Sequence, residues 1–410
     1  MRILQIIPSI SLVYGGPSQM VLGLSAALAR SGVEVTIITT NSNGDAGQAP
    51  LDVPLDRAVE QDGYQIRYFP CAPFRRYKFS LDLLKWLSQH ASEFDLAHIH
   101  ALFSPVCSLA ATVARSHHLP YILRPLGTLD PADLRKKRRL KQIYAVLLEK
   151  PNIAGAAAIH FTSKQEAKVS ERFGVKTRDL VIPLGVTAEG HPTPNPSPST
   201  ERGAKVEGHR GTGAFRIANS QSPMLLYLSR IEPKKGLNLL IPALENLLAE
   251  GIDFHFVLAG ANPQDPDYEA KIKAQIQASP LGSHTTITGF VGGDRKASLL
   301  QNADLFVLPS YYENFGIAVA EAMVAGKPVV ISDGVYIWED VQNAEAGWVC
   351  SLTVESLTEK LRLALRDEGE RKRRGLNAQK NALKEYSWDA IAQQTIQAYQ
   401  EILSSTVIKK

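Results

Sequence analysis

Short apolar, β-branched runs alternate with helix-spaced stretches along most of this chain, and the alternation starts twice. That pattern constrains the fold strongly. A strand buried on both faces reads as a continuous apolar run, and parallel neighbours need a crossover, usually a helix. Arg2–Ile7 is the first such run. Gly15-Gly16-Pro17-Ser18 follows, then Met20, Leu22, Leu24, Ala27 and Leu28 at helical spacing. Pro17 suits a first helical position, where its missing N–H costs nothing. Val33–Thr39, Gln65–Phe69, Leu96–His100, Tyr121–Arg124, Ala158–Thr162 and Leu180–Pro183 continue the strand series. From Gly190 to Gly213 nine of 24 residues are Pro or Gly. Such a segment cannot bury enough apolar surface to offset its ordering entropy, so residues 187–222 read as a linker or insertion. The alternation then restarts. Strands are predicted at Met224–Ser229, Phe254–Ala259, Thr285–Thr288, Leu305–Leu308 and Pro328–Ile331. Helices are predicted at Leu237–Ala249, Asp294–Gln301 and Gly316–Ala325, and nearly throughout the tail from Leu357 to about Leu403. The expectation is an α/β protein of two doubly wound domains facing across a cleft. Its 410 residues give each half room for its own core.

Composition excludes several classes. An excess of four positive charges, 45 Lys and Arg against 41 Asp and Glu, is too mild to imply a nucleic-acid partner. Cys71, Cys107 and Cys350 are too scattered for a disulfide framework or a CxxC zinc site. No run approaches the roughly 18–20 apolar residues of a spanning helix. The opening Met1–Pro8 is short for a signal peptide and reads as a buried strand. A cytoplasmic protein is expected.

Three loops at strand ends carry chemistry. Pro309-Ser310-Tyr311-Tyr312-Glu313-Asn314-Phe315-Gly316 follows a strand and opens the helix that contains Glu321. A helix start offers free N–H groups and the positive end of a dipole, where a phosphate can sit. Were the whole interval helical, Glu313 and Glu321 would lie about 12 Å apart. That is too far for a shared proton, but it suits gripping two hydroxyl-rich parts of one elongated ligand. The plainer alternative makes Glu313 a cap and Glu321 a solvated helix residue. Ser229-Arg230-Ile231-Glu232-Pro233-Lys234-Lys235-Gly236 places cations directly after the first strand of the second domain. Arg230 and Lys235 could neutralise a diphosphate without a metal, Arg by a forked contact and Lys as a point charge. Lys234 fits a solvated loop better. Gly15-Gly16 would let backbone approach a ligand or simply make a tight loop.

These elements together resemble glycosyltransferase family 4. Glu313-Asn314-Phe315-Gly316 with Glu321 looks like its E-x7-E motif. Arg230 with Lys235-Gly236 is similar to its R-x4-K-G element, and Val181–Val186 and Val257–Gly260 look like further landmarks. The resemblance implies the GT-B architecture of two Rossmann-like domains, a nucleotide-diphosphate-sugar donor, retention of anomeric configuration, and no metal or cofactor. It assigns Glu313 to the donor-sugar hydroxyls and Asn314, Phe315 and Gly316 to the sugar and diphosphate. It assigns Glu321 to the ribose, Arg230 and Lys235 to the leaving diphosphate, Gly15 and Gly16 to the phosphates, and Gly289 and Phe290 to the base. The acceptor hydroxyl would be on a glycan, a lipid-linked carrier or a small molecule. The expected domains are residues 1–187, a linker at 188–222 and residues 223–388. The final helix, about 389–410, would complete the first domain. The chain departs from the family at Ile122–Thr128, which lacks the usual histidine and carries Arg124, and at Leu184, where Asn is common. A non-catalytic sugar-nucleotide-binding protein of the same fold is the alternative; a phosphorylase or epimerase fits less well.

Two features stand outside the donor motif. His98 and His100 share one face of a strand near its end, so His100, with Arg124, is a candidate acceptor contact; ordinary packing is the alternative. No third ligand suggests a metal. The six cations within Arg135–Lys141, preceded by Asp130-Pro131 and followed by Ile143, Val146, Leu147 and Leu148, predict one helix. Its basic face could rest on anionic lipid or simply be solvated.

Overall fold

The computed structural model describes residues 1–14, 16–44, 48–72, 78–135, 138–187 and 222–407. The expected linker falls almost wholly outside them. The chain divides into two compact units. The first is built from residues up to Gly185 and from the last helix, Trp388–Val407; the second holds Val186 and the residues from Ser222 to Ser387.

The first unit carries an eight-stranded sheet: β1 (Arg2–Ser9), β2 (Glu34–Thr40), β3 (Val59–Gln61), β4 (Tyr64–Phe69), β5 (Leu96–His100), β6 (Tyr121–Arg124), β7 (Ala158–Phe161) and β8 (Asp179–Val181). Their order is β3-β4-β2-β1-β5-β6-β7-β8. Every pairing is parallel except the edge pair β3–β4. The second unit has β9 (Met224–Leu228), β10 (His255–Ala259), β11 (Thr285–Gly289), β12 (Leu305–Leu308), β13 (Val329–Ser332) and β14 (Gly347–Cys350). They run parallel in the order β11-β10-β9-β12-β13-β14. Both sheets are wound outward from their first strand and then back past it. The crevice at such a reversal, outside the carboxyl ends of the strands, is where open α/β sheets take ligands. It lies between the loops after β1 and β5 in one unit and after β9 and β12 in the other.

Among the described residues, β3, β14 and, in the second unit, two helices are not among the predicted elements. β3 is three residues long with one apolar member, and β14 begins at a glycine. The helices Pro266–Gln277 and Trp338–Asn343 are mostly polar. β8 stops at Val181, before Pro183, which has no N–H to give to a ladder. The basic segment is not one helix. A single turn, Pro131–Leu134, precedes the helix Arg138–Tyr144, a π-helical stretch Ala145–Glu149 and a further turn and a half, Lys150–Gly155.

The last helix belongs to the first core. Its Ile391, Ala392, Tyr399 and Ile402 are buried with Ile3, Leu24 and Leu28. Its first residue, Trp388, lies so close to Gly23 and Gly185 that a Cβ on either would overlap the indole.

Candidate donor site at the second sheet reversal

The loop after β9 turns through a short 3-10 helix, Pro233–Lys235, and ends at Gly236 with φ +77°. Only glycine fits there, because a Cβ would strike the carbonyl of Pro309 on the loop after β12. The two loops are joined by a hydrogen bond from Tyr311 N–H to the Lys234 carbonyl, 2.8 Å. The loop after β12 is fixed from its other side too. Glu313 N–H donates to the Gly334 carbonyl at 2.9 Å, and Tyr336 N–H donates to the Glu313 carbonyl at 3.0 Å. The Ser332 hydroxyl donates to the Ser310 carbonyl at 2.5 Å. Glu313 therefore sits on a backbone held by β13 as well as β9.

This scaffold brings Lys235 and Glu313 into a direct ion pair. The Lys235 side chain is 10% exposed and that of Glu313 24%. The pair is partly desolvated, with an open side. Glu321 has its own ammonium: Lys296 Nζ lies 2.6 Å from Oε1. Arg230 is exposed and pairs with Glu232 at 2.8 Å. Lys234 shares Glu232 at 3.4 Å and stays solvated, as expected. Each motif carboxylate thus has a basic partner that a phosphate could recruit.

The helix after the motif starts only at Ile317, preceded by Gly316 with φ +79°. The interval from Glu313 to Glu321 is half turn and half helix, so the spacing expected for a continuous helix does not apply. Phe315 is buried edge-on against Tyr386, 5.2 Å between centroids, and anchors the turn from below. Asn314 is in the same turn, its Oδ1 receiving the Tyr312 hydroxyl at 2.5 Å. Gly289, φ +70°, ends β11, and Phe290 beside it is 81% exposed. Gly260 N–H donates to the Gly289 carbonyl and Ser229 N–H to the Ala259 carbonyl, so the ends of β9, β10 and β11 share one edge.

Two contributors were missed in the sequence. Lys296 is distant in sequence from its carboxylate, and only the strand order brings the helix Gly293–Asn302 beside Glu321. Asn262 is 3% exposed and donates to the Ile231 carbonyl at 3.0 Å, tying the loop after β10 to the loop after β9.

In the first unit, a cavity of about 300 Å³ lies at the sheet reversal, lined by residues including Pro8, Ser9, Tyr14, Lys78, Phe103 and Ser104. Four of its lining residues have positive φ without being glycine: Lys78 (+46°), Ala101 (+78°), Phe103 (+57°) and Leu126 (+55°). Such backbone is strained and persists only where neighbours impose it. One neighbour is Glu149, 1% exposed, whose Oε1 accepts from Phe103 N–H at 2.6 Å and from the Ser108 hydroxyl at 2.7 Å. Burial raises its pKa, opposed by those two hydrogen bonds. Gly16 opens the helix Gly16–Arg30 beside this cavity; Gly15 lies outside the described residues.

His100 and Arg124 do not line the cavity. They are 0% and 2% exposed, so as direct acceptor contacts both are set aside. They belong to a polar layer beneath the last helix, with His98, His160, Gln5 and Tyr399. The hydrogen bonds fix every tautomer. His160 Nε2 faces the Ile182 carbonyl at 2.8 Å and must donate, so its Nδ1 accepts from His98 Nε2 at 3.1 Å. His98 Nδ1 then accepts from the Tyr399 hydroxyl at 2.8 Å. Tyr399 in turn accepts from Gln5 Nε2 at 3.3 Å, and Gln5 Oε1 accepts from His100 Nε2 at 2.6 Å. Each imidazole carries one proton. Burial, then nearby positive charge including that of Arg124, holds all three well below the usual histidine pKa. Among the described residues, no three His, Cys, Asp or Glu side chains converge as metal ligands. No described helix is long and apolar enough to cross a membrane.

The chain is similar to known proteins. The family described as "Glycosyl transferases group 1" matches residues 214–381, and "Glycosyl transferase 4-like domain" matches residues 15–185. The chain is 34% identical over 177 residues to an uncharacterized glycosyltransferase of Methanocaldococcus jannaschii, covering 43% of this chain and 44% of that one. It is 26% identical over 404 residues to D-inositol 3-phosphate glycosyltransferase of Xylanimonas cellulosilytica, covering 94% and 91%. It spans about half the length of some curated relatives that it matches. Anabaena HepE, solved in complex with UDP and glucose, superimposes with a TM-score of 0.68 at 18% identity, over 98% of this chain and 100% of that one. Two Rossmann-like units, the paired motifs at the second sheet reversal and these matches lead to one statement: the chain belongs to the group 1, family-4-like glycosyltransferases of GT-B fold.

Proposed function

We propose that the chain is a retaining, metal-independent glycosyltransferase that moves a sugar from a nucleotide-diphosphate donor to an acceptor hydroxyl in glycan or glycoconjugate synthesis. The observation that carries this reading is the Lys235–Glu313 ion pair, built on abutting loops at the second sheet reversal. A diphosphate arriving there would draw Lys235 and Arg230 from their carboxylates. Glu313 would then accept hydrogen bonds from donor-sugar hydroxyls, while Glu321 accepts from the ribose. The helix start at Ile317 would add its dipole to the phosphate. Gly289 and Phe290 would flank the base. In the transfer, the bond from the anomeric carbon to the phosphate oxygen breaks, and the acceptor oxygen bonds to that carbon on the same face. The acceptor proton passes to the departing phosphate oxygen. Lys235 and Arg230 stabilise the charge that grows there, and the rest of the catalysis is positioning. We assign acceptor recognition to the first-unit cavity, with Lys78 and Tyr14 among its polar lining. Three cysteines scattered along the sequence suit a reducing, cytoplasmic setting.

The test is incubation with a panel of nucleotide sugars and acceptor alcohols, reading nucleoside diphosphate release and product anomer by NMR. A transferred sugar with unchanged anomeric configuration is expected. Binding without release would indicate a non-catalytic nucleotide-sugar receptor, and an inverted product would reject the same-face step.

A further inference from the structure

The segment Arg138–Gly155 leaves its largest apolar stripe outside and buries two polar side chains. Its inward residues are Ala145 and Glu149, each 1% exposed, Asn152, 0% exposed, and Ile153, 2% exposed. Two of these four are polar, and they are satisfied within the unit. Glu149 holds Phe103 and Ser108, and Asn152 Nδ2 donates to the Ser108 carbonyl at 2.7 Å. The outward side carries Leu140, Ile143, Val146 and Leu147, at 66%, 61%, 65% and 68% exposure. Leu140, Ile143 and Leu147 follow the i, i+3, i+7 stripe that surface helices normally turn toward a core. Four large apolar side chains, each about two-thirds exposed on one short segment, mark a surface that meets something apolar.

Charge identifies the partner. From Arg135 to Lys150 the sequence has seven Lys and Arg and one acid, Glu149, which is buried. Arg135, Arg139 and Lys150 are exposed. A second copy of the chain would bring two such cationic runs together, whereas an anionic bilayer takes both the apolar stripe and the charge. We infer that the stripe Leu140, Ile143, Val146 and Leu147, with its flanking cations, docks the protein on an anionic lipid surface. The π-helical turn then has two sides with two tasks. Leu147 faces lipid, while Glu149, two residues on, fixes the Phe103 backbone at the rim of the first-unit cavity. A hydroxyl on a lipid carrier would be presented next to that rim. The docking itself does not depend on the transfer reading, and its test reads partition rather than turnover.

The experiment is co-sedimentation of the full chain with vesicles of phosphatidylcholine plus phosphatidylglycerol, and with phosphatidylcholine alone, at low and high salt. Binding to the anionic vesicles is expected, weakened about tenfold or more on neutral ones and by salt. Arg139→Ala should weaken it about fivefold, the worth of one surface cation. The double variant Ile143→Glu/Leu147→Glu should lose it while keeping the wild-type melting temperature, since both side chains are exposed. The inference is overturned by no pelleting with anionic vesicles at low salt, or by a double variant that binds like the wild type. Sedimentation velocity showing a wild-type dimer that the double variant loses would also overturn it, assigning the stripe to a second copy.

Discussion

Lys235→Met is expected to lower kcat by about two to three orders of magnitude, the usual cost of removing one preorganised group from the oxygen where charge develops. The substitution keeps most of the apolar stem, which is largely buried, and removes only the ammonium. It also leaves Glu313 without its partner, so a fall in rate alone would not separate catalysis from damage to the loop. The double variant Lys235→Met/Glu313→Gln separates them. If the ion pair only braces the loops, replacing both charged partners restores activity, because no uncompensated charge remains. If the ammonium acts on the diphosphate and the carboxylate on the sugar, the double variant is at least as slow as either single one. Single-turnover rates and melting temperatures of the three variants check this directly.

Acid should destabilise the first unit steeply. His98, His100 and His160 are neutral in a layer where every tautomer is already assigned. A second proton on His160 would point at the His98 N–H, one on His98 would displace the Tyr399 hydroxyl proton, and one on His100 would sit buried near the Arg124 charge. The folded pKa of each lies well below 6.5, so below about pH 6.5 the unfolded chain binds protons that the folded chain refuses. Stability is then complete above that pH and lost as pH falls. Each histidine contributes a slope of about 1.4 kcal/mol per pH unit, so the three approach about 4 kcal/mol per unit. Glu149 and Glu166, whose pKa values burial raises, act oppositely between their raised values and the ordinary carboxylate range. Three groups outweigh two, and melting temperature measured across pH 7.5 to 5, roughly the window these histidines span, should fall with a steepening slope. A flat curve would mean that the layer takes up protons without breaking. Tyr399→Phe removes the hydroxyl that donates to His98 Nδ1 and should lower stability by about 1–3 kcal/mol at neutral pH.

The frame of the fold was legible because parallel strands announce themselves. Leu305–Leu308 and Leu96–His100 are apolar runs between turn signals, and Leu237–Ala249 runs between a glycine and the Glu250 turn. Edge elements were not legible: β3 and β14 are short, and their pairing depends on neighbours remote in sequence. The donor motifs were visible as charge placed at strand ends. Their partners were not, because Lys296 meets Glu321 only once β11 and β12 take their places on either side of the sheet reversal. The histidines were seen as a same-face pair, but their burial depended on Tyr399, about 300 residues away along the chain. The basic segment showed its charge in sequence. Its exposed apolar stripe was not legible, because Glu149 and Asn152 find partners inward, a contact that no periodicity reports.

On the proposed reading, the reversal of the second sheet holds a diphosphate between Lys235, Arg230 and the start of the helix at Ile317. Titration calorimetry of uridine, guanosine and adenosine diphosphates into the wild-type chain and into Lys235→Met tests it most directly. Saturable binding of at least one of them to the wild type is expected, weakened about tenfold or more by the substitution. No heat from any of the three, or equal affinity in both proteins, would contradict it.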